Sequence, residues 1–101
     1  MLREMTCEFH PEAEKEFLAA INYYEECRIG LGYDFTREVY SAIQSIIEHP
    51  KTWPLFDLGI RRRLISRFPY AILYSEEGQT IYILAVMHLR RDPTYWKYRL
   101  S

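Results

Sequence analysis

Met5, Cys7 and Phe9 alternate with Thr6 and Glu8, a period of two that predicts a short strand with one apolar face. His10-Pro11 punctuates the pattern, and Pro11, followed by Glu12, Glu14 and Glu16, suits the first turn of a helix, where proline is tolerated and negative charge meets the helix dipole. The period then changes. Ala13, Phe17, Ala20, Ile21, Tyr24 and Arg28 repeat at spacings of three and four up to Gly30 and Gly32, and Phe35, Val39, Ala42, Ile43, Ile46 and Ile47 do the same until Pro50. Two amphipathic helices joined by a short glycine-containing connection form a hairpin, and neither stripe can be buried without a further layer.

The segment KTWPLFDLG (51–59) reads as a loop packed on the core. From Ile60 onward, β-branched and aromatic residues dominate, broken at Pro69 and at EEGQ (76–79), which predicts three strands: IRRRLISRF, YAILYS and TIYILAVMH. EEGQ joins the last two as an antiparallel hairpin. The third strand is apolar on both sides and belongs inside the sheet, with its faces covered at least in part by helices. In DPTYWKYRL, Asp92 is placed to cap a short helical turn with Pro93 at its first position, and Trp96 to pack that turn on the sheet. The expected fold is therefore α+β: an N-terminal strand, a helical hairpin, then a three-stranded antiparallel meander completing a four-stranded sheet.

A chain of 101 residues has room for one core, and residues 1–101 are read as a single domain. An apolar fraction of 49% and an aromatic fraction of 16% are those of a folded protein, and no apolar run approaches the length of a membrane span. MLREMTCEF lacks the apolar segment of a secretory signal, so the expected location is cytoplasmic. Cys7 and Cys27 lie outside any CxxC and read as small buried apolar residues; Cys7 and His10 are followed by no second close ligand pair, so neither a metal nor a cofactor is expected. Glu12, Glu14, Glu16, Glu25 and Glu26 read as solvated helix faces.

Charge is divided along the chain. Residues 1–57 hold eleven acids and five bases, net −6, while residues 58–101 hold three acids and eight bases, net +5. The asymmetry fits an anionic partner, and it equally fits two halves that attract each other across the fold.

Candidate chemistry gathers in the basic half. Arg61, Arg63 and Arg67 share one parity of IRRRLISRF, Arg62 lies between them, and His88, Arg90 and Arg91 close the third strand. If those strands are neighbours, the arginines converge near Tyr70, Tyr74, Tyr95 and Trp96. Guanidinium forks hold phosphates and aromatic planes stack on bases, and the same residue types dominate protein–protein hot spots. For RNA cleavage, His88 is the candidate proton-transfer group, with Tyr95 assisting and Arg90 or Arg91 on the phosphate. The alternative for His88 is a strand-end histidine bonded to Asp92 or a backbone carbonyl. No nucleophile elbow and no glycine-rich phosphate loop is present.

FHPEAEKEFLAAINYYE, LGYDFTREVYSAIQSIIEHPKTWP and above all RFPYAILY followed by ILAVMHLRRDPTYW resemble the toxins of the RelE/ParE superfamily from type II toxin-antitoxin modules, over about residues 5–99. The resemblance implies a growth-inhibiting toxin of the plasmid-stabilisation type, neutralised by a cognate antitoxin that also supplies any contact with operator DNA. Two targets come with it: DNA gyrase for ParE-like members, and ribosome-bound mRNA for RelE-like endoribonucleases. Arg91 and Tyr95 fall where the latter carry an arginine and an aromatic residue after the last strand. Ala71 stands where many of them carry an arginine in the second strand, and the long hairpin is similar to that of ParE-like members. Both departures favour the gyrase reading, with Arg61, Arg63, Arg67, Tyr70 and Trp96 as target or nucleic-acid contacts.

Overall fold

A computed structural model describes residues 5–100. The order of elements is β1 (Thr6–Phe9), α1 (Pro11–Cys27), α2 (Leu31–Glu48), β2 (Leu55–Asp57), β3 (Ile60–Leu64), β4 (Tyr70–Glu77) and β5 (Thr80–His88), followed by a turn of 3-10 helix at Lys97–Leu100. The α+β class stands, with one more strand than expected. Leu55–Asp57, inside the segment read as a loop, pairs with β3 to give a five-stranded sheet of order β1-β5-β4-β3-β2. β1 runs parallel to β5 and the other pairs are antiparallel. Three residues of strand between Pro54 and Gly59 carry too little periodicity to be read from sequence.

The helices form as their stripes predict. Ala13, Phe17 and Ala20 of α1 and Phe35, Val39, Ala42, Ile43 and Ile46 of α2 are buried against one face of the sheet, together with Ile72, Tyr74, Ile81, Ile83 and Val86. His10 caps α1 by accepting the Glu12 amide on Nδ1. Glu25 is exposed, as read, yet its carboxylate also accepts the Gly30 and Gly32 amides at 3.0–3.1 Å and so caps α2 from the preceding helix. That cap needs close contact between the helices, and a Cβ on Gly32 would lie 2.7 Å from the Ile21 carbonyl oxygen.

The second core lies on the opposite face. Ile60, Leu73, Leu84, Ala85 and Met87 pack there under Trp96, with Phe56, Tyr82 and Tyr95 at the margin. β5 serves both cores because its register with β4 shifts between Leu73 and Tyr74, which pair with Ala85 and Ile83 and leave Leu84 as an extra residue. The bulge reverses the alternation, so Val86 faces the helices as Ile83 does while Leu84 and Ala85 both face Trp96.

Among the cysteines, Cys7 is half-buried and its thiol pKa is raised by burial first and by Glu8 second, whereas Cys27 is exposed, contrary to the buried reading. Among the described residues no helix is long and apolar enough to cross a membrane.

Because the obstacle to a side chain at Gly32 is backbone, Gly32→Ala must push the hairpin apart. We expect a stability loss of about 2 kcal/mol or more in urea unfolding, against less than about 0.5 kcal/mol for the exposed Gln44→Ala.

Candidate functional site

The expected convergence of arginines does not occur, because β4 separates β3 from β5. Arg61 and Arg63 lie at the end of α2: Arg61 donates to the Trp53 carbonyl at 2.7 Å, and Arg63 donates to Ser45 Oγ at 3.2 Å with its guanidinium 4.3 Å from the Trp53 ring. Arg62 projects to the other face, over Phe56. Arg67 is not on the strand; β3 stops at Leu64, and Arg67 sits in the following bend with φ of 72°, within 3.6 Å of Asp34 and 3.8 Å of Glu38. Trp96 is fully buried and its indole N–H is used inside the turn, on the Pro93 carbonyl, so it is core rather than a contact surface. Tyr70 is half-buried among Tyr24, Phe35 and His88.

What does converge is a cluster around Glu16, a residue read from sequence as solvated. Its carboxylate accepts the Val86 amide at 3.0 Å, Arg99 Nη1 and Nη2 at 3.0 and 2.9 Å, and Arg91 Nη1 at 3.1 Å. The side chains of Glu16 and Arg99 keep only 13% and 3% of their accessible surface, whereas Arg91 keeps 52%. A paired fork of this kind is the geometry that makes a buried ion pair tolerable. Burial works against the Arg99 charge, and the hydrogen bonds to Glu16 and Tyr98 with the Glu16 charge outweigh it, so its pKa is raised. Tyr95 lies between the two cations, 3.6 Å from Arg91 and 5.0 Å from Arg99. Burial, then the neighbouring Glu16 carboxylate, raises its phenol pKa well above the ordinary tyrosine range.

The spacing of Ala13, Glu16 and Ala20 places Glu16 on the buried stripe of α1, a signal present in the sequence. Arg99, 83 positions away, is not recoverable from it.

Two clefts flank this cluster. One, of about 210 Å³, lies between α1 and the end of β5, where Tyr23, Tyr70, His88 and Arg91 line it; the other, of about 310 Å³, lies between α1 and the final turn, with Lys15, Tyr95 and Tyr98 on its walls. Glu16, Ala19 and Arg91 belong to both and make them neighbouring compartments of one groove. At its rim, His88 Nδ1 accepts the Arg90 amide at 3.1 Å, so that lone pair is taken. Arg90 itself forms no ion pair among the described residues. Asp92 caps the turn as its position suggests, accepting the Thr94 amide and hydroxyl at 2.9 and 2.8 Å; these bonds lower its pKa.

A helical hairpin packs on one face of the mixed sheet, and a cationic, aromatic turn closes the other. The chain belongs to the family described as ParE toxin of type II toxin-antitoxin system, parDE, whose model matches residues 7–93. Among solved structures, a chain of the chromosomal ParDE TA system from P. aeruginosa has the same fold, with a TM-score of 0.75 at 13% identity over 88% of this chain and 100% of that one. No curated protein matches.

Removing the Arg99 guanidinium leaves the Glu16 carboxylate partly buried with its exposed partner alone. Arg99→Ala should lower unfolding free energy by about 3 kcal/mol, read from urea melts, while Lys15→Ala, whose pair with Glu12 is exposed, should change it by less than about 0.5 kcal/mol.

Proposed function

We propose that this protein is a cytoplasmic growth-inhibiting toxin that acts by binding DNA gyrase and is neutralised by a cognate antitoxin, operator DNA being met only through that antitoxin. One observation carries the reading: three of the four residues considered for RNA cleavage, His88, Arg91 and Tyr95, are engaged with the protein itself. His88 Nδ1 holds the Arg90 amide, Arg91 lies on Tyr95 and Glu16, and the Tyr95 phenol is buried with a raised pKa. A general base must offer a free lone pair within reach of the proton it takes, and a general acid a proton it can release near neutral pH. Ala71 adds to this, since it is fully buried and has no charge to place on a phosphate.

A binding toxin asks for something else: a rigid corner with exposed cations and aromatic edges. Arg90, Arg91 and Tyr98 supply it beside the groove, with Leu89 exposed next to them. The acidic and apolar character needed to mask such a corner is that of an antitoxin segment ordering on the groove.

Purified protein at micromolar concentration should abolish gyrase supercoiling of relaxed plasmid. Supercoiling left intact while induction still arrests growth would sink the gyrase reading. Induced His88→Ala should arrest growth as the parent does, and codon-phased mRNA cuts that vanish in this variant would establish the ribonuclease instead. In a gel shift the toxin alone should bind DNA without sequence preference, and salt should abolish that binding.

A further inference from the structure

The final turn is attached to the body by side chains more than by backbone. Trp96 is its apolar plug, Lys97 reaches Asp57 at 2.7 Å in an exposed pair, and Arg99 enters the protein to meet Glu16 and the Leu84 carbonyl at 3.0 Å. Arg91 stands just ahead of the turn and Arg99 near its end, and a single carboxylate holds both.

We propose that Glu16 is the positioning residue of the toxin: it fixes residues 91–100 in the orientation in which they meet the target, so toxicity depends on a carboxylate that lies mostly inside the protein. The inference rests on the reading of this corner as the docking surface. Three features lead to it. First, Tyr95 lies against two guanidiniums that repel each other, and only Glu16 neutralises both, so the ring and the exposed Arg91 fork keep their places through it. Second, Glu16 reads the sheet as well as the turn, since it also accepts the Val86 amide; the turn is thereby referenced to β5 rather than merely held near it. Third, none of the turn's contacts belongs to the helix-side core, whose residues are Phe17, Phe35, Val39, Ile46, Ile72, Ile83 and their neighbours. Release of the turn would uncover the second core while the helix-side core stays packed.

Glu16→Gln keeps the size of the side chain and an oxygen for the Val86 amide, and it removes the charge that balances the two arginines. Hydrogen exchange followed by mass spectrometry should show amides of residues 93–100 exchanging about a hundredfold faster, an acceleration at least about tenfold greater than that of residues 71–74. Induced in cells at equal protein level, the variant should no longer arrest growth. In the parent background, Arg99→Lys, which keeps the cation without the fork, should retain part of the protection and part of the arrest.

Three results would overturn the proposal: a turn as protected in Glu16→Gln as in the parent, a freed turn with growth arrest undiminished, or faster exchange spread evenly over the sheet, which is the mark of a residue that only stabilises. Since arrest is scored in cells whatever the target, failure of the parent to inhibit gyrase would remove the target assignment and leave this test standing.

Discussion

The architecture depends on closing one side of β5. β1 pairs with it only as far as Ile83, because the chain turns at His10-Pro11 into α1. Beyond that point the Leu84 carbonyl and the Val86 amide face a side with no strand. Backbone groups in the middle of a sheet cannot be left unpaired without a cost of kilocalories. A longer β1 would satisfy them and displace the helix start. Here side chains do it: Glu16 takes the amide and Arg99 the carbonyl, and the two bind each other. The charged pair is thus a continuation of the sheet edge, and the position of the final turn follows from it.

The division of charge along the chain has a physical resolution in the same terms. Arg67 with Asp34 and Glu38, Arg91 and Arg99 with Glu16, and Lys97 with Asp57 all join the basic half to the acidic half. Much of the asymmetry is internal attraction. What is left over in the basic half is specific: among its described residues, Arg61, Arg62, Arg63 and Arg90 have no carboxylate partner, and the first three rest on carbonyl, hydroxyl or aromatic groups. The three on β3 are separate from the groove at Glu16, since β4 lies between β3 and β5, whereas Arg90 stands beside that groove.

Periodicity made the hairpin, β4, β5 and their two-residue turn at Gly78-Gln79 legible, because each has long stretches in which one repeat dominates. It failed where the backbone departs from a repeat. IRRRLISRF keeps strand parity through Arg67, yet the strand ends at Leu64 and the chain bends, which places Arg67 beside α2. The bulge at Leu84 is hidden inside ILAVM, where every residue is apolar and either parity is acceptable. Glu16 and Glu25 were hidden differently. Glutamate on a helix is usually solvated; Glu25 is exposed as that rule expects while bonding the Gly30 and Gly32 amides, and Glu16 is mostly buried beside an arginine near the other end of the chain. The site was therefore half legible: Arg91 and Tyr95 belong to it, while Glu16 and Arg99, which hold them, had to come from the fold.

The arrangement also bears on how one fold can serve different targets. A catalytic site needs at least one titrating group left free to exchange its proton with a substrate, and such a group adds nothing to the rigidity of what surrounds it. In this chain the groups at that place do the opposite. The histidine lone pair is given to an amide, the tyrosine ring to two cations, and one arginine fork to a carboxylate, so each is spent on shape. Rigidity at a cationic, aromatic corner lowers the entropy lost when a protein partner docks there. On the proposed reading, the difference between cleaving and docking needs no change of fold, only a change in whether a few side chains at the end of β5 bond inward or outward; in this chain His88 Nδ1, the Arg91 fork and the Tyr95 ring bond inward.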